Sequence, residues 1–174
     1  MPPFSDPTVS IERWPADHPR LEELRRLVAS QEQTRAFTFS ADWHLASHVL
    51  VAVQETAVVG FLRFVVQEIG PDNEQPAVRL DGIALTEAKI LAFGVPLDAR
   101  KQGIGRGLQH AAIAWARALD CYQVRSHSDG RRQANHHLKL SLGFAVHPII
   151  RGDDQEGAYF IMPLRANFRG VEDE

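Results

Sequence analysis

The chain has 174 residues, 44% of them hydrophobic and 24% charged, with a formal net charge of -3. That length suits one domain with one substantial core, and the charge gives no bulk attraction to nucleic acid or an anionic membrane, so any basic site must be local. Cys121 is the single cysteine, which excludes an internal disulfide and a cysteine-based zinc site.

The first residues, "MPPFSDPTVSIERW", lack the basic-then-apolar pattern of a signal peptide. The longest apolar runs, "VLVAV" and "ILAFGV", are too short to span a bilayer. A cytoplasmic location is therefore expected. "VSIERW" reads as a short strand. In "HPRLEELRRLVASQE", Leu21, Leu24, Leu27 and Val28 recur at helical spacing and predict an amphipathic helix. "TRAFTFSADWHLAS" is ambiguous, with a second helix around Trp43 as one reading. "HVLVAVQE" and "AVVGFLRFVVQEIG" are β-rich runs separated by Glu55-Thr56, a hairpin.

Residues 70–85 hold two prolines and several turn-formers and read as a surface loop. "TEAKILAFGV" follows as a strand buried on both faces. From Ile104 the pattern turns helical, with Leu108, Ala111, Ala112, Trp115 and Leu119 on one stripe. "CYQVRSHS" is the next strand and "RRQANHHLKLSLG" the next helix, with Gly143 as its C-cap. "FAVHPII" and "GAYFIMPL" make a closing strand pair around the acidic turn "RGDDQEG", and the tail, residues 166–174, is expected to be flexible. Such an order makes a mixed α/β sheet with helices on both faces.

The stretch "LDARKQGIGRGLQHAAIAW" (residues 97–115) places Arg100, Lys101 and Arg106 where a helix begins. A helix amino end already carries partial positive charge, so cations there are unfavourable. They become intelligible if an anion sits on the outward N–H groups of a turn whose glycines let the backbone come close. The alternative is a glycine turn with solvated charges. A dinucleotide fingerprint would need glycine at Leu108, and neither a Walker-type "GK[ST]" nor the kinase motif set is present. What remains is R-x-x-G-x-G over residues 100–105, after a strand ending in Val95-Pro96.

"LAFGVPLDARKQGIGRGL", and "LKLSLGF" some 40 residues on, resemble two signatures of the GNAT-type N-acetyltransferases. The resemblance implies one N-acetyltransferase domain over residues 1–174, its core signature at 87–144. It further implies an α+β fold with a mostly antiparallel sheet of about 6–7 strands and about four helices. The implied donor is acetyl-CoA, with no metal. Its pyrophosphate would lie on the main chain of Lys101, Gln102, Gly103, Ile104, Gly105 and Arg106, with Arg100 adding charge. Its pantetheine arm would pair with Phe93, Gly94 and Val95. The implied reaction is direct transfer of acetyl to a primary amine of a small molecule or peptide. A non-catalytic acyl-CoA-binding module with the same fold is the alternative. Similar proteins often pair through their last strands, so a homodimer is a further expectation.

The chemistry needs a base for the ammonium, a donor for the oxyanion and a proton for the departing thiolate. A main-chain N–H within Phe93–Val95 could serve the oxyanion. Glu87 is the only acid on the strand face that carries Lys89, Leu91, Phe93 and Val95, and family members often hold a catalytic glutamate there. Its other reading is an ion pair with Lys89 or a cap on the strand entrance. Glu68 is a weaker rival, and His127, at the end of its strand, is another.

Where many relatives have the tyrosine that faces the CoA sulfur, this chain has Lys139, which could donate a proton or bind a phosphate. Asn135 and His136, one turn back, could contact the cofactor arm or the thiol. Eight histidines show no H-E-x-x-H or other compact ligand spacing, so no zinc site is expected. Cys121 reads as a buried small hydrophobe.

Overall fold

A computed structural model describes residues 8–150 and 152–164; the expected flexible tail lies outside these residues. Among the described residues, nine strands and four α-helices run in the order β1 (Val9–Trp14), α1 (Leu21–Ser30), α2 (Thr34–Thr38), β2 (His44–Gln54), β3 (Ala57–Glu68), β4 (Arg79–Leu80), β5 (Ile83–Ala84), β6 (Thr86–Gly94), α3 (Ile104–Ala118), β7 (Gln123–Ser128), α4 (Gln133–Ser141), β8 (Ala145–Pro148) and β9 (Ala158–Pro163). Seven of the strands make one mostly antiparallel sheet, ordered β1-β2-β3-β6-β7-β9-β8. Two compact units divide the chain, and β3, β6 and α3 each contribute to both.

The first unit comprises Met1–Val65, described from residue 8, and Ile90–Ala112. Its core gathers Trp14, Leu24, Val28, Val51, Val53, Phe61 and Ala92. The helical spacing read in α1 is borne out: Leu24 and Val28 are buried, and Leu21 and Leu27 pack at the margin. Glu22 and Glu23 lie in its first turn, where a carboxylate complements the helix dipole. The second helix is shorter and earlier than expected. It ends at Thr38, and Trp43 sits in the turn before β2. Arg63 explains the stop, because its guanidinium bonds the carbonyls of Ala36 (3.3 Å) and Phe39 (2.7 Å) as well as Ser47 Oγ (3.0 Å).

The second unit comprises Val66–Lys89 and Ile113–Glu174, described to residue 164. Val124, Phe144, Phe160, Ala116 and Cys121 are among its buried residues. The stretch expected to be a bare loop contains a small hairpin, β4 against β5, turned by Asp81 and Gly82 in left-handed conformation. Leu142 is the C-cap of α4, and Gly143, expected in that role, follows it with φ 93, the left-handed position past a helix end that glycine favours. The closing strands pair antiparallel, Ala145 opposite Ile161, while β9 also pairs β7 with His127 opposite Tyr159. The buried stripe of α3 runs through Leu108, Ala112 and Ala116, so Trp115 and Leu119 are only half-buried.

Candidate functional site

In the first unit, a 3-10 turn over Leu97–Ala99 links β6 to α3. Lys101 and Gly103 both adopt left-handed dihedrals, φ 62 and 80. Glycine takes such a value freely, whereas in lysine it is uncommon and carries strain. The first bond back along α3 runs from the Gly107 N–H to the Gly103 carbonyl at 2.9 Å. The N–H groups of Ile104 and Gly105 therefore have no carbonyl of their own helix to reach. Ile104 is 3% exposed and anchors the helix start, while Arg100, Lys101, Gln102 and Arg106 are exposed. No acid lies in the first turn. A Cβ placed on Gly103 would meet nothing within 4 Å, so the space beside the turn is open. Outward donors, a positive helix end and added cations suit an anion such as a diphosphate.

At the end of β6, Gln33 is the residue that the sequence reading missed. Its carboxamide bridges the Phe93 main chain, accepting from the N–H at 2.9 Å and donating to the carbonyl at 2.5 Å. The Phe93 N–H expected to be available to an oxyanion is thus already engaged. The Val95 carbonyl accepts from Arg100 Nε at 2.9 Å. Gly94 has a packing reason to be glycine: a Cβ there would come 2.8 Å from the ring of fully buried Phe61. Nothing in the sequence links Gln33 to a strand 60 residues away.

In the second unit, Glu87 is 0% exposed. Its carboxylate accepts from Arg125 Nε (3.1 and 3.0 Å), Arg125 Nη2 (2.5 Å), Gln67 (3.0 Å) and Gln123 (2.8 Å). The pair with Lys89 that offered the other reading is not made. Lys89 turns to Asp72, at 2.6 Å, and Asp72 also takes Arg125 at 2.6 Å. Burial alone would raise the Asp72 pKa, but the bonds from Lys89 and Arg125 outweigh it and hold the carboxyl below its usual range. Burial likewise disfavours the Arg125 charge, and Glu87 and Asp72 reverse that to raise its pKa. Two carboxylates and two cations neutralise one another away from water.

The α4 candidates are also engaged. Asn135 Nδ2 donates to Ser128 Oγ at 3.1 Å. His136 Nε2 lies 3.0 Å from the Asp129 carbonyl, and its ring leans on Phe160. Lys139 is 0% exposed, its ammonium 5.1 Å from the Phe144 ring centre, and burial pushes its pKa down to about 7. His127 is half-buried, edge-on to Tyr159. Among the described residues no group of three or more His, Cys, Asp or Glu could hold a metal ion. No described helix is long and apolar enough to cross a membrane.

No curated protein matches this chain significantly. Solved structures do share its fold. Arabidopsis thaliana NAA60 in complex with acetyl-CoA is 17% identical, with a TM-score of 0.65 over 90% of this chain and 99% of that one. The ribosomal-protein-S18-alanine N-acetyltransferase from Escherichia coli is 17% identical, with a TM-score of 0.61 over 94% and 99%. An aminoglycoside acetyltransferase from an uncultured soil metagenomic sample, in complex with trehalose, is 20% identical, with a TM-score of 0.64 over 83% and 93%. The model of the acetyltransferase (GNAT) family matches residues 11–144, a span that includes both motifs. With that match over most of its length, the chain belongs to the acetyltransferase (GNAT) family.

Proposed function

We propose that this protein transfers an acetyl group from acetyl-CoA directly to a primary amine of a small molecule or peptide. The observation that carries the reading is the turn at residues 101–106: left-handed Lys101 and Gly103, an acid-free helix start, and open space beside Gly103. The cofactor's diphosphate would lie on the main chain there, with Arg100, Lys101 and Arg106 offsetting its charge. Phe93, Gly94 and Val95 would flank the pantetheine arm, with Gln33 holding the Phe93 peptide in place. When bound, acetyl-CoA supplies the activated acyl group.

Isothermal titration with acetyl-CoA tests the reading. Wild-type protein is expected to bind, and Gly103→Trp to lose binding by filling the cradle. No heat at millimolar acetyl-CoA would sink the reading.

A second reading, an acyl-CoA-binding module without turnover, is favoured by the sealing of Glu87 and Lys139 away from solvent. A thiol-release assay over spermidine, kanamycin and peptides with free amino ends separates the two. Binding with no thiol release on any amine would favour the module. A homodimer built through β8 and β9 belongs to the same proposal, and sedimentation velocity measures it.

A further inference from the structure

The short helix α2 is fastened to the first unit at three places. Gln33, just before it, bonds the Phe93 main chain. The Phe37 ring stands edge-on to buried Phe61, centroids 5.9 Å apart, and Arg63 bonds the carbonyls of Ala36 and Phe39. Ser47 Oγ accepts from the same guanidinium, and Ser47 shares a face of β2 with Leu45. Arg63 thus ties the end of α2 to the strand that carries Leu45. From Gln33 to Phe39 the chain advances roughly 9 Å, at a helical rise of about 1.5 Å per residue.

What this fastened backbone presents to water is apolar. Among the described residues of the first unit, the exposed large apolar side chains are Phe39 (45%), Trp43 (39%), Leu45 (62%) and Leu97. Three of these four fall between residues 39 and 45. Single exposed apolar residues are ordinary, whereas a cluster of them marks a binding surface. Phe39 and Trp43 both meet the His44 ring edge to face, with centroids 5.5 and 6.2 Å away, so one imidazole spaces the two aromatic rings. Charge decides what such a surface can take. From Gln33 to Gln54 the one acidic residue is Asp42, while Arg35 is exposed, Arg63 lies beneath Phe39 and Arg13 reaches His48 at 3.4 Å. A polycation would bring several ammonium groups to one carboxylate and three guanidinium groups, an arrangement that repels it.

We propose that Phe39, Trp43 and Leu45 form a wall that receives the aromatic arm of the acceptor, and that the amine acetylated is a small arylalkylamine; the inference rests on the transfer reaction proposed above. The arm's ring lies against Phe39 and Trp43, where both partners lose apolar surface to each other and aromatic pairs add their own attraction. Its nitrogen points back along α2 toward the Phe93 peptide, beside the place given above to the pantetheine arm. The length of α2 requires an aliphatic spacer between ring and nitrogen, so an aniline falls short. The wall does no chemistry. It selects among amines by what they carry at the far end.

Steady-state kinetics on the full chain with saturating acetyl-CoA compares 4-phenylbutylamine with butylamine and spermidine. Wild-type kcat/KM should favour 4-phenylbutylamine over each of the others by roughly tenfold or more, the size expected for burying a ring. Phe39→Ala and Trp43→Ala should each raise KM for 4-phenylbutylamine roughly tenfold with little change in kcat, because the ring is held equally in the ground and transition states. Both side chains are exposed, so the variants should keep the wild-type thermal midpoint. Saturation-transfer NMR reads binding without turnover: the ring protons of 4-phenylbutylamine should receive more saturation than its methylene protons in wild type, and lose it in both variants. Equal kcat/KM for 4-phenylbutylamine and butylamine, or a preference for spermidine, overturns the arylalkylamine assignment and leaves acetyl transfer standing. A preference unchanged in both variants overturns the roles of Phe39 and Trp43. Acetyl-CoA binding with no thiol release on these three amines or on the wider panel above overturns the transfer reaction itself, and this inference with it.

Discussion

Arg125 forks onto Glu87 inside the second unit, with Nε 3.1 and 3.0 Å from the two carboxylate oxygens and Nη2 2.5 Å from Oε1. Both residues are almost wholly buried. Breaking a buried pair leaves an uncompensated charge, which costs about 3–5 kcal/mol. Arg125→Met strands Glu87, and also Asp72, whose other cation is Lys89. The expected result in urea denaturation is a loss of that size. A midpoint equal to wild type would show that the network contributes nothing to stability.

Asp72 makes the same network sensitive to acid. Its folded pKa is depressed, so its contribution is present above the unfolded carboxyl value and is lost as pH falls through the folded one. Wild-type stability should therefore decline below about pH 4. Asp72→Asn should be less stable at pH 7 and show a shallower acid decline. Parallel curves for the two proteins would remove Asp72 from the account.

Lys139 acts at the other end of the scale. Burial lowers its folded pKa to about 7 from an ordinary 10.5, so the unfolded chain binds more protons between those values. Its buried charge destabilises the fold below pH 7, and stability rises with pH across the window by roughly 1.4 kcal/mol per unit. Urea midpoints from pH 6 to 10 should climb in wild type. In Lys139→Met they should be higher at pH 6 and lack this climb.

Gly94 and Gln33 can be tested apart from the cradle. Gly94→Ala drives a methyl into the buried Phe61 ring, and overpacking of this kind costs about 1–3 kcal/mol. Gln33→Leu removes both bonds to Phe93, a loss of about 1–3 kcal/mol where buried polar groups lose their partners. Thermal unfolding measures each. If Gln33 positions the Phe93 peptide for the cofactor, Gln33→Leu should also weaken acetyl-CoA binding in calorimetry. Undiminished affinity would confine it to stability.

The local features of this protein were legible from its residues alone. Spacing in α1, the hairpin between β2 and β3, the left-handed Gly143 past α4 and the glycine-rich turn before α3 depend on dihedral preferences and on neighbours a few positions away. Such preferences act wherever the chain is, so the order of elements and the family motifs could be read directly. The side-chain partnerships could not. Glu87 meets Arg125 across 38 residues and Asp72 meets Arg125 across 53, while Gln33 reaches Phe93 across 60. An acid on a strand face looks equally ready to catalyse or to pair, and only packing decides which cation arrives and whether water stays.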